Sequence, residues 1–304
     1  MRTIFNMLRV PNLLIIAFTF LLLRYFVFIP VYSAFSVTSG MGSLQYLLMI
    51  TSTILIAGAG FVSNDYFDVI TDRVNKPHKQ YIGIKLKAGS ALTIAILLSI
   101  VASFFAIWLA VLNRSVIPAI LLTMALLVTW WYAMRLKKSF VWGNMAVAFM
   151  SAGTIAMAWI IENQISQTPD QPFRLITGII AAITIIALLL NFIREIVKDI
   201  EDIEGDKLIN CRSLPIVKGI PFTKSIVFFL SCFTIILLII VQSNLLNFSR
   251  LPAVIWLLVS AEIPLIYFLF ALRKAEQKPD YHKLSTLLKL IMVGGIASIV
   301  AGQF

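Results

Sequence analysis

Apolar residues in this chain come in unbroken blocks and not in alternation with polar ones. Nine stretches of about 20 residues, near 12–32, 44–63, 89–112, 115–134, 141–161, 173–193, 222–243, 251–271 and 284–303, carry few charges. A helix needs about 20 apolar residues to cross a hydrocarbon core of roughly 30 Å, whereas a membrane strand alternates lipid-facing and lumen-facing positions. The blocks therefore predict an all-α integral membrane protein: nine transmembrane helices forming one domain over residues 1–304. The first block, Leu13–Tyr32, follows Arg2 and Arg9 but exceeds the apolar length of a secretory signal. Eight more blocks come after it, so it reads as the first membrane anchor.

The polar links between the blocks are of two kinds. Residues 33–43 hold no charge, and 113–114 and 244–250 hold one arginine each. The N-terminus and the even-numbered links with their flanks hold 20 of the 25 lysines and arginines; the other five are Arg24, Arg114, Arg174, Arg250 and Lys289. Basic residues concentrate on the cytoplasmic side of membrane proteins, so this asymmetry predicts a multi-pass protein of the cell (inner) membrane with a cytoplasmic N-terminus.

Composition agrees: 60% of the 304 residues are hydrophobic and 13% charged, with a mean hydropathy of +0.94. The net charge of +11 is explained by the loop bias and calls for no nucleic-acid partner. Cys211 and Cys232 lie in different settings and suggest neither a disulfide nor a zinc site. His78 and His282 read as isolated, solvated residues of polar loops. Arg24 and Lys289 fall inside blocks, where a cation is either functional or reaches for the interface along its own side chain. The Trp130-Trp131-Tyr132 cluster reads as part of an interfacial aromatic belt.

Two acidic stretches break the apolar pattern. Asn64, Asp68 and Asp72 follow one another at intervals of four, and Asp199, Asp202 and Asp206 at intervals of three and four. If the preceding helix continues through each stretch, its oxygen-bearing side chains share one face. The stretches end the second and sixth blocks, four crossings apart, so parity brings both to the cytoplasmic surface. The same offset suggests two similar four-helix units with a ninth helix appended. Acids grouped beside a bilayer are costly unless a cation offsets them. Carboxylate and carboxamide oxygens suit Mg²⁺, which takes the rest of its octahedral shell from water and substrate phosphates. The predicted ligands are Asn64, Asp68 and Asp72 for one Mg²⁺ ion and Asp199, Asp202 and Asp206 for a second. Arg73, Lys76, Lys198, Arg212 and Arg194 lie near enough in sequence to meet phosphate oxygens. A diphosphate held this way beside apolar walls points to an allylic diphosphate with a lipid tail.

Asn64-xxx-Asp68-xxx-Asp72 followed by Arg73-Val-Asn75-Lys76-Pro77, with Lys198-Asp199-xx-Asp202-xx-Gly205-Asp206 and Arg212-Ser-Leu-Pro215, resembles the UbiA superfamily of intramembrane prenyltransferases. Arg9-Val-Pro-Asn12 is similar to that family's opening stretch, and Tyr132-Ala-Met-Arg-Leu-Lys137 to the end of its fourth span. The resemblance implies a nine-helix UbiA-like bundle around a central cavity and Mg²⁺-dependent transfer of a polyprenyl group from its diphosphate to an acceptor. It assigns catalysis to Asp68, Asp72, Asp199, Asp202 and Lys198, and substrate contacts to Arg9, Asn12, Arg73, Lys76, Lys137, Arg194, Lys198 and Arg212.

The run from Arg194 to Asp206 is similar to that of digeranylgeranylglyceryl phosphate synthases, which attach a second isoprenoid chain to a glycerol phosphate lipid. Arg194 stands where many members that use aromatic acceptors have tyrosine. It either meets an acceptor phosphate or pairs with a neighbouring acid. Two departures from the family pattern are His78-Lys-Gln-Tyr-Ile-Gly83 after Pro77, and Asn210 in place of a usual glycine. The rival readings are an aromatic acceptor of quinone, haem or chlorophyll synthesis, and a membrane transporter. Transport favours ionisable groups near the bilayer midplane, and the acids here gather at one surface.

Overall fold

The computed structural model describes residues 2–37, 41–75, 81–166 and 168–302. Among them, nine helices are long and apolar enough to cross a membrane: α1 (Val10–Ala34), α2 (Ser43–Phe67), α3 (Ala88–Leu112), α4 (Ile117–Met134), α5 (Trp142–Ser166), α6 (Asp170–Glu201), α7 (Ile220–Asn247), α8 (Leu251–Lys274) and α9 (Lys278–Ala301). All nine blocks read from the sequence are present. The departures lie at polar ends: α6 runs eight residues past its block and α9 begins six residues before its own. At 1.5 Å per residue the 32-residue α6 is about 48 Å long, well over the roughly 30 Å of a hydrocarbon core. Its last turns thus extend the helix beyond its apolar block, and those turns bear the acids.

Two helices loosen into a single π-helical turn, α1 at Arg24–Phe28 and α8 at Leu258–Glu262. Each turn is followed by Ile-Pro, Ile29-Pro30 and Ile263-Pro264. A proline inside a helix lacks the N–H for the bond one turn back, and the helix absorbs that loss locally.

Helices α1, α2, α4, α5, α6 and α9 form a ring in which each touches the next, with α3 outside against α2 and α4, and α7 and α8 outside against α6 and α9. Small residues set these approaches, as expected where lipid removes the hydrophobic drive for helix pairing. Ala91, Ala95, Ala102 and Ala106 of α3 are buried, and Ser52 Oγ of α2 donates to the Ala102 carbonyl at 2.9 Å. At Gly60 of α2, a Cβ would lie 2.4 Å from the Thr129 methyl of α4.

Candidate active site

Both acidic motifs are built the same way. Helix α2 ends at Phe67, Asp68 turns the chain (φ −93°, ψ 6°), and a short helix continues over Val69–Asn75. Helix α6 ends at Glu201, Asp202 turns the chain (φ −99°, ψ 9°), and a short helix follows over Ile203–Leu208. The four-residue bonding survives each turn. Asp68 N–H donates to Asn64 O at 2.9 Å and Asp72 N–H to Asp68 O at 2.8 Å; Asp202 N–H donates to Lys198 O at 2.8 Å and Asp206 N–H to Asp202 O at 3.1 Å. The expected continuous helix is therefore a bent one, broken at the central aspartate of each motif.

One carboxamide clips the motifs together. Asn75 Nδ2 donates to the Asp202 carbonyl at 2.9 Å, and its Oδ1 accepts from Gly205 N–H at 3.0 Å. A Cβ on residue 205 would sit 2.4 Å from Asn75 Nδ2, so the approach requires glycine there. Lys278 Nζ at the start of α9 donates to the Asn75 carbonyl at 2.9 Å.

A cavity of about 1290 Å³ runs between the helices, and among the described residues its lining draws on every span except α3. Asn64, Asp68, Asp72, Asp199, Asp202 and Asp206 all line it, together with Arg9, Asn12, Lys137, Arg194 and Lys198. Arg73 and Arg212 do not: both are exposed and lie outside the lining. Arg73 follows Asp72 by one residue, about 100° around the helix from the acidic face. Lys76, His78 and Lys79 fall outside the described residues.

The Asp68 carboxylate is held from two sides. Asn64 Nδ2 donates to its Oδ2 at 2.6 Å, and the Lys137 ammonium forms an ion pair with the same oxygen. Burial works against the Lys137 charge, but Asp68 with Tyr132 outweighs it and holds this lysine above the ordinary lysine range. Lys137 sits in the turn Leu136–Lys138, and Gly143 at the start of α5 lies close against that turn. Asn144 Nδ2 of α5 donates to Asp199 Oδ2 at 2.7 Å. Below the second motif, burial and the nearby Asp206 push the Cys211 thiol up to about 12.

A second cluster in the same cavity is basic. Arg194 Nη1 and Lys198 Nζ each meet the Glu195 carboxylate at 2.9 Å. Arg9 Nη2 pairs with Asp65 Oδ1 at 2.8 Å, its guanidinium 5.0 Å from the centre of the Phe61 ring. Lys289 Nζ donates to Asn12 Oδ1. Arg194 thus does pair with a neighbouring acid, while still lining the cavity.

Of the two intramembrane cations, Lys289 reaches into the cavity, and Arg24 is buried in the bundle, stacked 4.6 Å over Tyr46 and bonded to the Met41 carbonyl. His282 lies in α9 and not in a loop; it is largely exposed and its Nδ1 is 2.9 Å from Glu201 Oε1.

Sequence reading passed over Asn75, Asn144, Glu195 and Lys289 as site residues. Asn144 and Lys289 carried a signal, since each is a polar interruption of an apolar block. Glu195 was masked by its basic neighbours.

The donor set fits Mg²⁺. Six hard oxygen-bearing side chains face one cavity, and Asn64 Oδ1 is buried with no hydrogen-bond partner, an acceptor suited to a cation. They form no closed cage: among the described residues, no three His, Cys, Asp or Glu side chains converge tightly enough to hold an ion unaided. That suits a cation which takes part of its shell from phosphate oxygens.

The model of the UbiA prenyltransferase family matches residues 13–291. The digeranylgeranylglyceryl phosphate synthase of Methanosphaera stadtmanae is 30% identical over 250 residues, covering 82% of this chain and 84% of its own length. A solved structure of a digeranylgeranylglyceryl phosphate synthase in membranes superimposes with a TM-score of 0.63 at 23% identity, covering 99% of this chain and 97% of that one. A UbiA homologue from Archaeoglobus fulgidus, solved with GPP and Mg²⁺, gives 0.60 at 15% identity, covering 98% and 99%.

Proposed function

The chain belongs to the UbiA prenyltransferase family, and from that premise we propose that it moves a geranylgeranyl group from its diphosphate to a hydroxyl of a glycerol phosphate lipid. It is a multi-pass membrane prenyltransferase. The observation that carries the finer reading is the meeting of both acidic motifs and a separate basic cluster in one cavity with apolar walls. An allylic diphosphate needs the acids and the walls; a phosphorylated acceptor needs the extra cations. The relative from Methanosphaera stadtmanae, with its glycerol phosphate product, supports that acceptor class. We place the N-terminus and the cavity mouth on the cytoplasmic side, where the charge asymmetry puts them.

Asn64, Asp68 and Asp72 hold one Mg²⁺ ion in this reading, and Asp199, Asp202 and Asp206 a second. When bound, the metal neutralises diphosphate oxygens and stabilises the charge that gathers on them as the donor ionises. Lys137, fixed by Asp68, presents an ammonium to the departing diphosphate. Asn144 orients Asp199, and Asn75 keeps the two motifs in register. The apolar wall, including Ile56, Leu122, Val128 and Met150, excludes water from the allylic cation and so favours capture by alcohol over hydrolysis. The C1–O bond to diphosphate breaks, the acceptor oxygen bonds C1, and the hydroxyl proton leaves with the diphosphate.

The test is an acceptor panel. Purified protein with labelled geranylgeranyl diphosphate and Mg²⁺ is expected to label a monogeranylgeranylated glycerol phosphate and leave an aromatic acceptor such as 4-hydroxybenzoate unlabelled. The reverse preference would overturn the acceptor assignment.

A further inference from the structure

Lys289 lies eleven residues into α9, inside the ninth apolar block, and lines the cavity. A lysine at such depth is costly, yet its ammonium pairs with the neutral carboxamide of Asn12 and, among the described residues, with no acid. Arg194 and Arg9, both cations, lie near enough to act on it. With Lys198 they make four positive side chains lining the cavity; Glu195 pairs with Arg194 and Lys198, and Asp65 with Arg9. A cluster of cations around a lysine that has only a neutral hydrogen-bond partner among the described residues suits a phosphate monoester, which carries about −1.5 to −2 at neutral pH. A second observation points the same way: Arg194 Nε is buried without a hydrogen-bond partner, a donor in want of an acceptor.

The diphosphate does not account for this cluster. Arg194 precedes Asp199 by five residues, about 7.5 Å further along α6 from the acidic face, and the acidic face already has Lys137. Resting on the reading above, we infer that Lys289, with Arg9 and Arg194, forms the pocket for the phosphate monoester of the acceptor and selects phosphorylated over unphosphorylated acceptors. Asn12 and Glu195 are positioning residues: Asn12 aims the Lys289 ammonium, and Glu195 bridges Arg194 and Lys198.

The test is steady-state kinetics in detergent with three substrates varied in turn: the donor, the glycerol phosphate ether lipid, and that lipid with its phosphate removed. Wild-type turnover of the phosphorylated lipid comes first; its absence overturns the functional reading and the pocket together. Given turnover, Lys289→Met is expected to raise KM for the phosphorylated acceptor roughly tenfold to a hundredfold, as for loss of one charge-assisted contact. It should leave donor KM within about twofold, and Lys289→Arg should recover most of the loss. Preference for the phosphorylated acceptor should shrink by the same factor. Arg194→Gln, on the facing helix, should show the same loss of preference and serves as the readout should Lys289→Met fail to fold. A rise in donor KM in step with acceptor KM, or an unchanged preference in a folded variant, would overturn the pocket while leaving the prenyltransferase reading intact.

Discussion

Asn75 and Gly205 stand 130 residues apart and meet backbone to side chain, the Gly205 N–H donating to Asn75 Oδ1 at 3.0 Å. The same carboxamide donates to the Asp202 carbonyl, so one side chain fixes the end of the first motif on the turn of the second. Register between the motifs is thus set by a contact that touches no substrate. The α9 lysine Lys278, bonded to the Asn75 carbonyl, fastens the ninth helix to the same point.

Gly205→Ala should break this clip. The new Cβ falls 2.4 Å from Asn75 Nδ2, and displacing the carboxamide leaves a buried N–H unsatisfied at a cost of about 1–3 kcal/mol. Turnover should fall at least about tenfold, with a lowered melting temperature by fluorescence-detected unfolding.

Asp68→Asn should abolish turnover while the purified variant remains monodisperse in detergent. It removes the charge that Lys137 and Asn64 converge on and a ligand expected for the metal. A variant with wild-type product yield would reject the role given to the first motif.

Chelation should stop the reaction. EDTA is expected to remove activity and added Mg²⁺ to restore it, with Asp199→Asn needing more Mg²⁺ for half-maximal rate. Titrating free Mg²⁺ against product formation checks both.

Cys211 should resist alkylation near neutral pH. Its thiol is buried and pushed up to about 12, so the reactive thiolate is scarce below that pH and grows only as pH climbs towards it. Peptide mass spectrometry after iodoacetamide at pH 8 should find Cys211 unmodified in the folded protein.

Ala102→Leu should weaken the fold and spare the chemistry. Ala102 is fully buried where α3 meets α2, and forcing extra methylenes into a packed contact costs about 1–3 kcal/mol. The thermal midpoint should drop with donor KM unchanged.

The nine spans were legible because lipid demands long apolar helices, and the pairing of the motifs because an even number of crossings returns the chain to one surface. The four-residue spacing of the acids already called for helix beyond the apolar blocks, as in the extension of α6 to Glu201; what spacing could not show is the bend at Asp68 and Asp202. Nor does spacing along one helix reveal partners on another. Asn144 facing Asp199, Asn75 facing Gly205 and Lys289 facing Asn12 each join distant blocks, and no local pattern announces them. Arg73 and Arg212 show the converse: nearness in sequence to an acid does not fix direction, and both side chains are exposed and outside the cavity lining.

The most direct measurement follows one turnover through both motifs. Labelled geranylgeranyl diphosphate and the glycerol phosphate ether lipid are incubated with wild type, Asp68→Asn and Asp202→Asn, and the doubly prenylated lipid and released diphosphate are counted. The expected result is equal amounts of both products from wild type and neither from either variant. Full product from a variant of one motif would contradict a single catalytic cavity built from both.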